Sequence, residues 1–283
     1  MEVKKPFVAG AGIMGSGIGQ LCAQQGYEVS VIDVSQDLVN KAEAKVKAGL
    51  QKRVEGGKIT QDEMNSVLSR VKWSVDLNLA RNSDFVIEAI SENIAAKKEL
   101  FKKLDAICSP QTILATNTTA LSVSEIASAT SRPDKVIGMH FFNPAVVMKL
   151  VEIIRGEQTS EETIAATKKF AESLGKFPIA TSKEAPAGIV SRVLAGLLNE
   201  AAVVYSQGIA SPQDIDEALK LGAGLPMGPL ALIDMIGLDI HLAKMETLYS
   251  KLKDERYKPP DVIKKMVAEG KLGKKSGQGF YKY

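Results

Sequence analysis

The chain has few residues of the kinds that build disulfide frameworks or metal clusters. Cys22 and Cys108 are its only cysteines, and they lie far apart without the spacing of metal ligands. Both sit in apolar helical surroundings, so we expect buried free thiols, a reducing compartment and no metal site. No apolar run approaches the length that spans a bilayer, and a strand begins almost at the N-terminus. These shortages favour a cytoplasmic protein that does not bind membranes.

Neither sign of charge is in strong excess. The 283 residues include 36 basic and 33 acidic side chains, which gives a formal net charge of +3. This balance argues against a nucleic-acid partner, although a local basic patch for an acidic small molecule is compatible with it. Hydrophobic residues make up 45% of the chain, which is enough for the core of one large or two ordinary domains.

Histidine is also scarce, and one of the two histidines ends a short apolar run. Residues 136–139 are typical of a buried strand, and His140 follows them. Glu152 lies in a second apolar run, residues 150–154, and a turn centred on residue 146 would place it opposite His140. A buried carboxylate needs a partner, and an imidazole oriented by a carboxylate can transfer protons near neutral pH. Two alternatives stay open, since His140 could be a structural residue and Glu152 could face solvent.

The N-terminal residues carry a dinucleotide-binding pattern. An apolar strand at residues 6–9 is followed by Gly10, Gly12 and Gly15, and then by a helical pattern. In this setting Gly10 permits a tight turn, Gly12 the approach of a pyrophosphate, and Gly15 close packing of helix and strand. A second strand ends at Asp33, whose carboxylate suits the adenine ribose hydroxyls and would repel a 2′-phosphate. The pattern therefore predicts NAD as the cofactor.

Further apolar strands continue the alternation of strands and helices. They cover residues 85–89 and 112–116 and flank a helix at residues 95–107, as a doubly wound parallel sheet requires. Ligands bind such sheets at the carboxyl ends of the strands. The polar residues at or just past those ends are Glu88, Glu92, Asn117, Thr118, Thr119 and His140. For residues 117–119, taken alone, a plain turn followed by a helix cap at Ser122 is the commoner arrangement.

A row of lysines follows the dinucleotide pattern. Residues 36–70 predict two helices around a break at residues 56–58, and Lys41, Lys45 and Lys52 recur on one helical face. Such a row is usually solvated surface. Binding of a second, phosphate-bearing ligand is the alternative that stays open.

The composition changes near residue 185. A helix at residues 160–174 and a strand near residues 178–181 complete a first domain, which we place at residues 1–184. Residues 185–283 show no strand pattern and predict an all-α domain. Four helices are predicted in it. The first covers residues 189–205, and the other three begin near Pro212, Pro229 and Pro260.

The first helix of this second domain is apolar around most of its circumference. Such a helix is unsuited to a free surface, so we expect it to pack against a second subunit as well as its own domain. The predicted assembly is a homodimer. A charge at Leu197 or Leu198 is expected to give monomers or insoluble protein.

Together these residues resemble the short-chain L-3-hydroxyacyl-CoA dehydrogenases, most closely the bacterial 3-hydroxybutyryl-CoA dehydrogenases. The matching segments are GAGIMGSGI near the N-terminus, VIEAISEN at 86–93, KVIGMHFFNPAVVMKLVEIIRG at 135–156, GLPMGPLALIDMIGLD at 224–239 and LGKKSGQGFYKY at the C-terminus. The resemblance implies an α/β fold, a Rossmann-type domain followed by an all-α domain. It also implies reversible, NAD-linked oxidation of a (3S)-3-hydroxyacyl-CoA to the 3-oxoacyl-CoA.

The same resemblance implies roles for residues at matching positions. His140 would be the general base, and in reverse the acid, while Glu152 would orient its ring. The implied cofactor contacts are Gly10, Gly12, Ile13, Met14, Gly15, Asp33, Glu92, Lys97, Asn117, Asn143 and Lys275. The implied substrate contacts are Lys52, Lys58, Thr119 and Ser191.

Three departures from the family pattern concern the substrate. Thr119 stands where relatives usually have a serine, so the hydroxyl is kept with an added methyl group. Ser191 replaces an asparagine that would help hold the acyl group, and serine is shorter and has no amide. Gly49 and Gly56 stand where relatives often place a serine and a lysine for CoA. The chemistry should be retained, while these departures leave acyl-chain preference and CoA affinity open.

Two rival functions remain. One is a related dehydrogenase that acts on a free hydroxy acid, a type that typically uses a catalytic lysine and needs no basic row. The other is a nucleotide-binding protein with little activity, which would bind NADH without turnover. Comparison of acetoacetyl-CoA with free acetoacetate as substrates separates these functions from a CoA-thioester dehydrogenase.

Overall fold

One twisted sheet forms the centre of the first part of the chain. A computed structural model describes residues 2–184 and 187–283. Within these ranges the strands are β1 (Pro6–Ala9), β2 (Val29–Ile32), β3 (Val71–Ser74), β4 (Phe85–Glu88), β5 (Ile113–Thr116), β6 (Val136–Phe141), β7 (Leu150–Arg155) and β8 (Phe177–Ala180). Their order across the sheet is β3-β2-β1-β4-β5-β6-β7-β8. All neighbours are parallel except β6 and β7. The predicted doubly wound sheet is confirmed.

Helices cover both faces of this sheet. They are α1 (Ile13–Gln24), α2 (Gln36–Glu55), α3 (Gln61–Ser69), α4 (Ile94–Ile107), α5 (Val123–Ala127) and α6 (Glu161–Ser173), with short 3-10 turns at Leu77–Asn82 and Pro133–Lys135. Alternate residues of β1 enter different clusters, since Val8 belongs to one hydrophobic core and Phe7 and Ala9 to another. The sheet is therefore buried on both faces, which explains why its strands are continuous apolar runs.

The strand order changes direction beside β1. Its neighbours are β2 on one side and β4 on the other, so the connections that leave β1 and β4 diverge at their carboxyl ends. This is the switch point at which open α/β sheets bind ligands. The strand ends that bear Gly10, Ala89 and Asn117 all open onto this edge.

A second compact unit, Ile189–Tyr283, is helical. It contains α7 (Val190–Ser206), α8 (Pro212–Ala223), α9 (Pro229–Ile236), α10 (Leu238–Leu252) and α11 (Asp261–Ala268), with 3-10 turns at Glu255–Tyr257 and Lys274–Ser276. The first compact unit ends at Gly188. The predicted boundary between residues 184 and 185 adjoins residues 185–186, which lie outside the described ranges, and it stays a prediction. Among the described residues, no helix combines the length and apolar character needed to cross a membrane.

Two elements were not predicted. Strand β3 has only Val71 buried among its four residues, so it lacks an apolar run. Helix α10 was missed because a histidine, His241, occupies one of its buried positions and no proline marks its start. The chain breaks between α9 and α10 at Gly237, whose φ is +105°. The helical unit thus has five α-helices in its described part where the sequence predicted four.

His241 gives this unit a predictable response to acid. Its side chain is 1% exposed, and burial, aided by nearby Lys244, lowers its pKa from 6.5 to about 4. The unfolded chain therefore takes up a proton more readily than the folded chain. The contribution of His241 to the free energy of unfolding is fully present above pH 6.5 and is lost as the pH drops towards 4. Between about pH 7 and pH 5 the loss should be about 2 kcal/mol.

His241→Leu should remove this part of the pH dependence. The measurement is guanidinium denaturation of both proteins at the two pH values. Paired carboxylates titrate in both proteins, so the difference between them isolates the histidine. Equal losses in the two proteins would show that His241 is not the group responsible.

Candidate active site

His140 and Glu152 face each other across the antiparallel pair β6 and β7. The register pairs His140 with Glu152, and His140 Nδ1 lies 3.1 Å from Glu152 Oε2. Both side chains are buried, with exposures of 6% and 0%. The predicted juxtaposition is confirmed. A carboxylate at this nitrogen favours the tautomer with a proton on Nδ1 and leaves Nε2 as an acceptor.

The second ring nitrogen meets a hydroxyl group. His140 Nε2 is 3.3 Å from Thr119 Oγ1, and the Phe142 ring packs at 4.6 Å from the imidazole. Thr119 is held by its backbone N–H, which donates to Glu92 Oε1 at 2.9 Å. The structure therefore brings together the predicted base, its orienting carboxylate and a predicted substrate contact.

The glycine turn has the geometry that a dinucleotide requires. Gly10 has a φ of +108°, and a Cβ there would lie 2.6 Å from the Ala89 carbonyl oxygen. A Cβ on Gly15 would overlap the Gly10 carbonyl, whereas one on Gly12 would meet no atom within 4 Å. Close packing therefore permits only glycine at positions 10 and 15, whereas Gly12 faces open space. Asp33 also braces the turn, because its Oδ2 accepts a hydrogen bond from Ala11 N–H at 2.7 Å.

The N-terminus of α1 fits a pyrophosphate. The helix begins after Gly12, and no side chain in the described part of the protein caps it. Its first turn contains the predicted contacts Ile13 and Met14 and no acidic residue. Unpaired amides at a helix start attract phosphate oxygens. The uncapped helix start and Asp33 therefore fit the predicted NAD.

Glu92 and Lys97 belong to a polar cluster at the carboxyl end of β4. The Lys97 ammonium is 1% exposed and lies 2.6 Å from Glu88 Oε1 and 3.5 Å from Glu92 Oε2. Burial alone would raise the pKa of Glu92, but hydrogen bonds from Thr118 and from the Ala120 amide, together with Lys97, hold it below its usual value. The sequence placed Glu88 at this edge without revealing its lysine partner.

Asn117 and Asn143 occupy two positions along this edge. Asn117 Oδ1 accepts a hydrogen bond from Phe141 N–H at 2.8 Å, which ties the ends of β5 and β6 together. Asn143 is exposed in the loop between β6 and β7. Lys176 holds this loop by donating to the Ala145 carbonyl at 2.6 Å and the Met148 carbonyl at 2.8 Å. Lys176 has no sequence signal, because nothing marks a lone lysine between a helix and an edge strand.

Four further residues were predicted as cofactor or substrate contacts. Lys52 and Lys58 are exposed, in the last turn of α2 and the loop after it. The other two belong to the helical unit. There Ser191 is 9% exposed on α7, and Lys275 forms an ion pair with Asp239 at 2.6 Å.

Comparison with known proteins decides the family. The model of the 3-hydroxyacyl-CoA dehydrogenase NAD binding domain matches residues 6–185, and that of the 3-hydroxyacyl-CoA dehydrogenase C-terminal domain matches residues 189–283. The chain belongs to the 3-hydroxyacyl-CoA dehydrogenase family. It is an oxidoreductase, and NAD is its cofactor.

Named relatives of this dehydrogenase cover its full length. A probable 3-hydroxybutyryl-CoA dehydrogenase of Bacillus subtilis is 50% identical over 100% of this chain and 98% of its own. The human mitochondrial hydroxyacyl-coenzyme A dehydrogenase is 41% identical over 99% of this chain and 91% of its own. The crystal structure of (S)-3-hydroxybutyryl-CoA dehydrogenase from Ralstonia eutropha is 44% identical, covers 100% of this chain and 99% of that one, and has a TM-score of 0.96.

Proposed function

We propose that this dehydrogenase interconverts (3S)-3-hydroxybutyryl-CoA and acetoacetyl-CoA, with His140 as the general base and Glu152 as the group that orients it. The observation that carries the roles is the contact chain from buried Glu152 through the imidazole to Thr119. The names of the Bacillus subtilis and Ralstonia eutropha relatives support the four-carbon substrate.

The proposed reaction uses the free nitrogen of the imidazole. In oxidation, His140 Nε2 takes the proton of the 3-hydroxyl group, and Glu152 stabilises the imidazolium that forms. NAD, which the Gly10–Gly15 turn and Asp33 would hold, would supply the hydride acceptor for C3 in oxidation and, as NADH, the hydride donor in reduction. In the reverse direction the imidazolium protonates the 3-oxo oxygen. The distance of 3.3 Å between Thr119 Oγ1 and Nε2 supports a role for Thr119 in holding the substrate oxygen beside the base.

The proposal keeps the predicted contacts with cofactor and acyl group. Cofactor contacts are proposed for Gly10, Gly12, Ile13, Met14, Gly15, Asp33, Glu92, Lys97, Asn117, Asn143 and Lys275. Ser191 is proposed to contact the acyl chain. A cytoplasmic location is proposed as well, and the burial of both free thiols supports it.

The decisive experiment compares two substrates. Purified enzyme with NADH should reduce acetoacetyl-CoA rapidly and free acetoacetate very slowly, as followed by NADH absorbance. Comparable rates on both would favour a dehydrogenase of free hydroxy acids. Tight NADH binding without turnover on either would support a nucleotide-binding role and would overturn the proposal.

Lys52 and Lys58 are proposed to bind the phosphates of CoA. Replacing both by alanine should raise KM for acetoacetyl-CoA by roughly fivefold, because each exposed ion pair contributes little. The value of kcat should be unchanged, and added salt should reduce the difference in KM between variant and wild type. Steady-state kinetics at two ionic strengths measures this. Lys47→Ala is the matched control, since Lys47 is exposed on another face of α2; an equal rise in that variant would contradict the assignment.

Helix α7 is proposed to form the homodimer contact. Val193, Leu197, Glu200 and Val204 lie on one face of the helix. Val193 is 68% exposed, and Leu197 and Val204 line a largely apolar groove of about 390 Å³ between α7 and α8. A second copy would cover this surface.

The test of this contact needs a position outside the core. Leu198 is only 2% exposed within its own helical unit, so a charge there would unfold the unit whatever the assembly. A charge at Leu198 would therefore give the predicted insoluble protein with or without a dimer, so it does not test the contact. Val193→Glu should instead give folded monomers, measured by sedimentation velocity. A dimeric variant, or a wild-type protein that is already monomeric, would contradict the proposal.

A further inference from the structure

Glu88 is a buried carboxylate that the proposed reaction does not use. It is the last residue of β4 and is 0% exposed. Both of its oxygens accept hydrogen bonds: Oε1 from the Lys97 ammonium at 2.6 Å and from Ile90 N–H at 2.7 Å, and Oε2 from the Thr116 hydroxyl at 2.6 Å. Glu88 therefore fixes groups on three segments at the carboxyl edge of the sheet.

Stability alone does not account for this arrangement. Two buried charges lose their hydration, and apolar residues of similar volume often stabilise a fold as well as a buried ion pair does. A need to hold neighbouring side chains in fixed positions explains the ion pair of Glu88 and Lys97 better. Lys97 and Thr116 are the two side chains that Glu88 holds, and each leads towards the proposed site.

The first connection runs through Lys97. Its ammonium, held by Glu88, is 3.5 Å from Glu92 Oε2. The other oxygen of Glu92 accepts hydrogen bonds from the backbone N–H groups of Thr119 at 2.9 Å and Ala120 at 3.1 Å. Lys97 thus fixes the carboxylate around which this loop folds, at the edge where the cofactor is proposed to bind.

The second connection runs through Thr116. This residue ends β5, and Asn117 follows it. Asn117 accepts a hydrogen bond from Phe141 N–H, and Phe141 is adjacent to His140. A shift of Thr116 would therefore move the strand end that aligns Thr119 with the imidazole.

We propose that Glu88 is a positioning residue for the dehydrogenase reaction, which holds Lys97 for cofactor binding and Thr116 for alignment of the loop beside His140. It touches neither substrate nor cofactor and acts through these two neighbours. The part of the inference that concerns alignment beside His140 rests on the proposed function. The part that concerns Lys97 requires only that the enzyme binds NADH.

The test is a set of matched variants. Glu88→Gln keeps the shape and removes the charge, Lys97→Met removes only the first connection, and Thr116→Val removes only the second. We expect Glu88→Gln to raise the Kd of NADH and to lower kcat, each by about tenfold, since coupled contacts of this kind interact measurably. Lys97→Met should raise the Kd, and Thr116→Val should lower kcat with the Kd unchanged.

A double-mutant cycle separates positioning from general destabilisation. In the Lys97→Met background, Glu88→Gln should change the Kd of NADH little further, because its partner is already absent. The same change in Kd in both backgrounds would overturn the inference, as would wild-type values of Kd and kcat for Glu88→Gln. If the single variants fail to fold, the test uses the double variant Glu88→Gln/Lys97→Met, which has neither buried charge. Wild-type affinity of this variant for NADH would refute the role of Glu88 in cofactor binding.

The readouts also distinguish this inference from the proposed function. NADH binding is measured by fluorescence without any acyl-CoA. A wild-type protein that binds NADH but does not reduce acetoacetyl-CoA would overturn the proposed function, while the cycle in Kd would still decide the cofactor role of Glu88.

Discussion

His140→Ala should lose about a thousandfold in kcat on acetoacetyl-CoA while binding NADH with wild-type affinity. The side chain is the proposed acid for this direction, and a well-placed general acid or base contributes roughly 10²–10⁴-fold. Its removal leaves the glycine turn and Asp33 untouched. The measurements are steady-state turnover and NADH fluorescence titration.

Glu152→Gln is the companion variant for this prediction. Glutamine keeps the size of the side chain but cannot stabilise an imidazolium or fix one tautomer as a carboxylate does. We expect a smaller loss in kcat, about a hundredfold, with NADH binding retained. Normal turnover in His140→Ala would eliminate the proposed mechanism, and a Glu152→Gln enzyme as active as wild type would remove the role of the carboxylate.

The parts of the site that local sequence determines could be predicted. Two apolar runs around a short loop are expected to pair as a hairpin, and the position of the loop then fixes which residues face each other. His140 and Glu152 follow from that register. The glycine turn is equally local, because Gly10 needs a positive φ and Gly15 has no room for a Cβ.

The parts that depend on tertiary contacts could not be predicted. Glu88 and Lys97 lie on a strand and the following helix, and either could have faced solvent. Lys176 reaches carbonyl groups of a loop about thirty residues earlier, a contact that no periodicity encodes. The same reasoning explains why Leu198 was a poor choice for testing the dimer: the pattern shows that α7 is apolar but not which side its own core covers.

Gly188 is another contact that only the fold reveals. Its φ is +57°, a left-handed conformation, and its backbone lies against the carboxylate of Glu152. A Cβ at this position would overlap Glu152 Oε2 and lie 3.1 Å from Cδ. Because Oε2 is the atom that faces His140 Nδ1, relief of this overlap has to move the group that orients the base.

Gly188→Ala should therefore lower kcat by about a hundredfold, because a displacement of about 1 Å in a catalytic group can have that effect. NADH affinity should be unchanged. The left-handed φ adds a stability cost of about 1 kcal/mol, which Gly175→Ala controls for, since Gly175 has a φ of +69° and a Cβ there would meet no atom within 4 Å. Both variants should lose similar stability in thermal melts, but only Gly188→Ala should lose turnover. Equal activity in the two would show that Glu152 tolerates the added methyl group and that its position is not critical for catalysis.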